Sequence, residues 1–380
     1  MPAAPRDVDV VVVGAGIVGL ACAAALARAG HSLLLLERGD DIARETTSRN
    51  SEVVHAGIYY EPGSLKATLC LMGRRALYAR CAELGIAHRR VGKLILATSE
   101  DELPALDRLR AQAAQNEVQL EYRDAARVRR MEPDASAVAA LWSPDTGVVD
   151  GRALALSYLA EAETHGAVLM RRTELLELAP ISGLWHVGVR NADGELETLA
   201  CAGVVNAAGL ASDRIAALAG MDVDALDYRL HYCKGDYFAL ASGARRKLRV
   251  KHLIYPVPAG PSAPGLGIHL TLDLGGQLRF GPDAEYVSEL GVRVDPTKAV
   301  AFADAVRRYL PAVEPDWLVP AFAGIRPKLA GPGEGFRDFV VREESAAGFP
   351  GLVNCIGIES PGLTAAGAIA ERVVAELRSL

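Results

Sequence analysis

Apolar residues recur along this chain with two spacings. Val8 to Val13 is a short β-branched run that predicts a buried strand, and Leu20 to Ala29, rich in alanine, predicts a helix that Gly30 closes. Ser32 to Leu36 predicts a second strand, ending at Glu37. Further on, Ala162 to Val168 and Val204 to Val205 read as helix-end and strand material, and Arg214 to Ala219 as a helix. Lys93 to Ala97, Tyr237 to Leu240, His252 to Val257, Leu266 to Leu272 and Gln277 to Phe280 are strand-like runs separated by turns, the pattern of a largely antiparallel sheet. Pro258 to Pro264 reads as a loop. A strand at Leu352 to Ile356, a turn from Gly357 to Gly362 and a helix from Leu363 to Leu377 bring the chain back to its first fold unit.

The expected fold class is α/β in a two-domain α+β arrangement: a Rossmann-like unit interleaved with a mostly antiparallel sheet unit. The expected division assigns 1–85, 151–220 and 322–380 to the nucleotide unit, and 86–150 and 221–321 to the substrate unit.

Between the first strand and helix lies Gly14-Ala15-Gly16-Ile17-Val18-Gly19, a GxGxxG turn. Gly14 suits a tight turn, Gly16 lets a pyrophosphate approach the backbone, and Gly19 lets helix pack on strand. The helix N-terminus adds free amides and a partial positive charge. Glu37 follows at about the 20-residue distance expected of an acid that accepts hydrogen bonds from a ribose. The pattern predicts dinucleotide binding, disfavours NADP, whose 2'-phosphate Glu37 would repel, and does not separate FAD from NAD. Asn206-Ala207-Ala208-Gly209 ends another buried strand in small residues, where a ligand can come close.

Composition narrows the partners. With 50% hydrophobic and 23% charged residues and a formal net charge of -6, the chain has no basic face for nucleic acid, and a small molecule is the expected partner. Six scattered cysteines form no CxxC pair, so neither a metal site nor a disulfide framework is indicated, and a reducing, cytoplasmic setting is expected. The charge-free run from Val10 to Ala27 is close to the ~18 residues of a membrane span. Asp7 and Asp9 before it and three glycines within it point to a strand-turn-helix instead, so no transmembrane segment is expected.

Thr46 to Tyr60 (TTSRNSEVVHAGIYY), Pro62 to Ala67, Gly92-Lys93-Leu94, Ile254 to Pro258 and Gly267 to Thr271 together resemble the L-2-hydroxyglutarate dehydrogenase/oxidase group of the D-amino-acid oxidase (DAO) superfamily of flavoproteins. Gly324-Ile325-Arg326-Pro327 is similar to that superfamily's GxRP segment, and Gly357 to Thr364 to its C-terminal flavin turn. The chain is shorter than typical members between the sheet strands and the GxRP segment. The resemblance implies FAD bound in the Rossmann-like part, substrate held between the flavin and the antiparallel sheet, and hydride transfer to the flavin. It implies cofactor contacts from Gly14, Gly16, Ile17, Gly19, Glu37, Arg38, Thr47, Ser48, Asn50, Ser51, Leu175, Ala207, Ala208 and Gly209. At the C-terminal turn it implies Gly357, Glu359, Ser360, Pro361, Gly362, Leu363 and Thr364. Amides at that helix start suit the negative charge of a reduced flavin.

Oxidation of a 2-hydroxy acid needs a carboxylate clamp and a base for the hydroxyl proton. Arg326 is the candidate clamp, since guanidinium takes a carboxylate through two parallel hydrogen bonds; an interface ion pair is the plainer reading. His55 and His269 are the candidate bases, and each is equally well placed as a hydrogen-bonded packing residue. Lys234 is a candidate for a second carboxylate or a solvated strand-edge charge. Tyr60, Tyr255 and Ser360 are candidate pocket donors, the tyrosines alternatively core residues. The runner-up activity is oxidation of an amino acid or secondary amine, which Arg326 would serve equally. The electron acceptor (oxygen, quinone or carrier protein) is not written in the sequence.

Overall fold

The opening run forms a strand over Val8–Val13, and Val10 to Val13 are all buried because the strand lies inside a parallel sheet. Leu33–Glu37 pairs with it on one side and Leu196–Asn206 on the other; Val168–Arg171 and Phe349–Ile356 extend the parallel set outward. With Val340–Glu344 and the Glu174–Ile181/Leu184–Arg190 hairpin this makes an eight-stranded sheet. Helices Ile17–Arg28, Gly151–Thr164 and Gly362–Glu376 cover one face and share one apolar core. Trp185, Leu175 and Ile215 belong to the core on the other face. The computed structural model describes residues 6–244, 247–258 and 266–378.

A nine-stranded sheet forms the second body, with Glu285–Val287, His231–Leu240, Leu278–Phe280, Leu270–Leu272, Leu253–Pro256, Lys93–Ala97, Ala139–Ser143 and Glu121–Asp124 side by side. It is antiparallel except where Leu253–Pro256 runs with Lys93–Ala97. Leu318–Lys328, which carries Arg326, pairs along its whole length with His231–Leu240. A boundary drawn at residue 322 therefore falls inside a strand of this sheet. The Pro258 to Pro264 loop lies, beyond Pro258 itself, outside the described residues.

Two further details differ from the pattern reading. His269 precedes the Leu270–Leu272 strand rather than alternating within it. The first helix starts at Ile17, ahead of Leu20, so Gly19 sits in its opening turn. A Cβ on Gly19 would lie 1.8 Å from the Gly14 carbonyl oxygen, so the helix can start this close to the strand only with a bare backbone there. Gly19→Ala is expected to destabilise the protein by about 1–3 kcal/mol, the usual cost of overpacking, read as a lower urea midpoint of the cofactor-free protein.

Candidate active site

Three neighbouring parallel strands end together, with Val13 in register with Asn206, and Asn206 with Asn354. The glycine turn, the Ala207 to Gly209 turn and the Gly357 to Gly362 turn follow those strand ends, where ligands bind in open α/β sheets. Across from them stands the nine-stranded sheet. Between the two lies a cavity of about 820 Å³, lined by Gly16, Thr47, Ser51, Ala207 and Gly209 toward the glycine turn and by His55, Tyr255, His269 and Arg326 toward the second sheet.

At the glycine turn Gly16 is the helix N-cap and has no side chain to occupy the open amides. The Ile17 amide donates to Thr47 Oγ1 at 3.0 Å. Glu37 accepts from the Ala15 amide at 3.0 Å and from the Gly39 amide at 2.7 Å, so it ties the turn to the second strand. Asn50 closes its own loop through the Thr46 and Thr47 carbonyls and the Glu52 amide. Ser51 Oγ lies 3.0 Å from the Tyr237 hydroxyl. Glu359, Ser360, Pro361, Gly362 and Leu363 line the cavity from the C-terminal turn. Thr364 accepts from the His55 amide at 3.0 Å and so couples this turn to the His55 segment.

Other expected residues do not line the cavity. Arg38 is ion-paired with Glu45, and Ser48 donates to the Arg44 and Glu45 carbonyls. Leu175 is buried in the core beneath the sheet, and Gly14, Gly19, Ala208 and Gly357 shape the turns from behind. Lys234 faces away altogether. It sits mid-strand, donates to the Arg293 carbonyl at 2.6 Å, pairs with Asp236 at 3.0 Å, and lines a separate cavity of about 420 Å³ with Glu285 and Arg293. The reason is pleating: Gly235 and Tyr237 line the main cavity, so their neighbours Lys234 and Asp236 point to the opposite face.

Arg326 does reach the main cavity. Its Nη2 donates to the Asp283 carbonyl at 2.6 Å and its Nη1 to Cys233 Sγ at 3.2 Å, which leaves part of the guanidinium fork available. Among the described residues no carboxylate pairs with it. Gly235 makes the space, since a Cβ there would sit 2.6 Å from Arg326 Nη2 and 2.5 Å from Pro282 Cβ.

His269 Nδ1 lies 2.9 Å from the Gly267 carbonyl oxygen, which can only accept, so Nδ1 carries the proton and Nε2 keeps its lone pair. The ring stacks on Tyr255 at 3.8 Å between centroids. His55 Nε2 lies 3.2 Å from Ser360 Oγ, and the Tyr60 hydroxyl 3.5 Å from the same oxygen. Burial pushes both imidazoles down to about 3, with the nearby charge of Lys93 adding to it.

The sequence reading did not single out a second set of residues. Lys66 and Lys328, both lining the cavity, flank Glu359 at 2.9 and 3.2 Å, and this buried trio holds the Glu359 carboxyl below its usual range despite desolvation. A faint signal exists for Lys66: it stands in the first turn of the Leu65–Leu84 helix, where the helix dipole disfavours a cation. Lys93, within a wholly apolar strand run, is another.

Residues 9–377 match the DAO family, described as FAD dependent oxidoreductase. The chain belongs to this family. An L-2-hydroxyglutarate dehydrogenase, mitochondrial, from Arabidopsis thaliana is 38% identical over 97% of this chain and 83% of its own length. One named L-2-hydroxyglutarate dehydrogenase from Salmonella houtenae is 28% identical over 98% and 93%. In fold, the chain is similar to the L-alpha-glycerophosphate oxidase of Mycoplasma pneumoniae solved with FAD bound, with a TM-score of 0.86 at 23% identity over 98% of this chain and 95% of that one.

The cofactor of this DAO-family oxidoreductase is FAD, and the residues present suit it. The bare Gly16 cap is where a pyrophosphate can meet the backbone, for a Cβ there would touch only Thr47 Oγ1, at 3.4 Å. The cavity continues from there to Tyr237, Arg326 and Ser360. Among the described residues no helix is long and apolar enough to cross a membrane.

Buried His269 and half-buried His55 make stability depend on pH. The unfolded chain takes up protons on them below about 6.5, whereas the folded protein holds them neutral to about 3. They therefore exact no penalty above about pH 6.5, and stability falls as pH is lowered from there toward 3. Urea midpoints at pH 7 and pH 5 are expected to differ in that direction, and the His55→Gln/His269→Gln double variant to show a smaller difference.

Proposed function

We propose that this chain oxidises a small 2-hydroxy acid to the 2-oxo acid, with L-2-hydroxyglutarate the first substrate to test. The observation that carries this reading is Arg326, a guanidinium with free donors and no carboxylate partner among the described residues, in one cavity with two imidazoles kept unprotonated. Relatives that align over nearly the whole chain and are named for L-2-hydroxyglutarate support the substrate class.

In this mechanism Arg326 takes the substrate carboxylate through parallel hydrogen bonds and so orients the hydroxyl-bearing carbon. His269 Nε2, its tautomer set by the Gly267 carbonyl, accepts the hydroxyl proton. His55, beside Ser360, positions the C-terminal turn and offers a second polar contact. FAD, when bound, accepts the carbon-bound hydrogen with its electron pair. Tyr255 backs His269, and Tyr60 with Ser360 closes the pocket. Lys234 has no part in it.

Division of the chain by sheets moves the last boundary past Lys328, so that the whole Arg326 strand belongs to the substrate unit. The six cysteines are all free, which supports a reducing compartment such as the cytoplasm or an organelle matrix. A base that accepts a hydroxyl proton favours an alcohol over an amine, since an amine reacts as its own free base.

Anaerobic addition of hydroxy acids and amino acids to the FAD-loaded protein, followed by flavin absorbance, is expected to show bleaching with L-2-hydroxyglutarate or a close 2-hydroxy acid; bleaching by amino acids alone would overturn the assignment. Arg326→Lys is expected to lower kcat/KM about 10²-fold or more through loss of the two-point contact. His269→Gln is expected to lower kcat about 10²–10⁴-fold, the range for a lost general base, with His55→Gln less affected; the reverse order would move the base to His55.

A further inference from the structure

Lys93 begins the Lys93–Ala97 strand, every residue of which is buried, and is itself 1% exposed. Lysine is almost never this buried without a partner. Yet among the described residues no carboxylate pairs with Lys93. Its Nζ stands instead 4.5 Å from the Tyr59 ring centroid and 4.4 Å from that of Tyr255. Tyr255 in turn stacks on His269. Lys93 does not itself line the cavity, but the four side chains in front of it, His55, Tyr59, Tyr255 and His269, all do.

The groups that face Lys93 come from every packed element and bring no negative charge. The segment before the Leu65–Leu84 helix supplies His55 and Tyr59, and that helix supplies Cys70, whose thiol burial pushes up to about 12. The Leu253–Pro256 strand supplies Tyr255, and the turn before Leu270–Leu272 supplies His269, which also feels Arg326. The paired strand places Ser143 opposite, its hydroxyl 2.9 Å from Thr146 Oγ1. Helix Leu103–Gln115 buries only Leu106, Leu109 and Ala113.

We propose that Lys93 is a positioning residue for this cavity: a buried cation behind the Tyr59, Tyr255 and His269 wall that supplies positive potential for an anionic substrate. The inference rests on the hydroxy-acid reading for the identity of that anion. An ammonium without a carboxylate partner in a buried site is tolerated when its positive field is balanced by an anion that arrives later, and ring faces stabilise it while leaving its net charge in place. Burial lowers Lys93 to about 7, so near neutrality it is close to half-charged, and an arriving carboxylate favours the charged form. A positive charge there opposes imidazolium formation at His55 and His269 through the same field.

Lys93→Met keeps a similar length without charge. In the FAD-loaded protein, the Kd of 2-oxoglutarate, a non-reacting dicarboxylate, is measured by calorimetry from pH 5.5 to 8.5, alongside the pH profile of kcat/KM. The variant is expected to bind about tenfold more weakly at pH 6 and to converge on wild type at pH 8.5, where Lys93 is neutral, with kcat/KM following the same course. An equal loss of affinity at every pH would overturn the proposal. Should the variant fail to hold FAD, wild-type protein with 13C-labelled lysine decides by NMR: one lysine is expected to titrate near 7 and to move upward when 2-oxoglutarate is added, and titration of all of them near 10.5 overturns it. If the wild type binds no 2-hydroxy or 2-oxo acid, the substrate reading fails, while the lysine titration still judges Lys93.

Discussion

The structure depends on how closely the backbone can approach itself at the ends of three parallel strands. A Cβ on Gly14 would lie 2.7 Å from the Ala207 oxygen, and one on Gly19 still nearer to Gly14. With those side chains absent, the first helix starts directly above the strand, and its uncapped N-terminus opens into the same cavity as the Ala207 and Gly357 turns. Chain segments far apart in sequence are thereby placed around one cavity. The Thr364 hydroxyl, bonded to the His55 amide and the Val53 carbonyl, then ties the cofactor end to the chemical end.

The second constraint is electrostatic. Charges buried around the cavity fall into two kinds. Lys66, Lys328 and Glu359 form a compensated group at the C-terminal turn, and such a group holds its position because breaking it would strand a charge. Arg326 and Lys93 are uncompensated by any carboxylate among the described residues, and both stand on strands of the second sheet. Their positive fields favour an anion in the cavity, and both add to burial in opposing protonation of His269.

Much of the first unit was legible in the chain itself. The valine run, the glycine turn and Glu37 follow one another within one βαβ unit, so strand, turn and helix are specified locally, and Val8–Val13 formed as the pattern predicted. Glu37 shows the limit: spacing identified an acid at the right place, whereas its two oxygens already receive the Ala15 and Gly39 amides. In the second sheet the strands were visible but not their facing. The sequence leaves Lys234 as either a substrate contact or a solvated strand-edge charge; a one-residue offset in the pleat sends it away from the main cavity, and only the pairing of Cys233 with Arg326 reveals which face that is.

The sequence by itself determined the nucleotide-binding element, the alternation of the two sheets and the candidate clamp and bases, because each is carried by local periodicity or a contiguous motif. Tertiary structure alone decided which of these groups share a cavity, which tautomer His269 adopts, and that Lys66 and Lys93 are buried. Those properties depend on contacts between distant segments and on the loss of water around them, and no spacing along the chain encodes either.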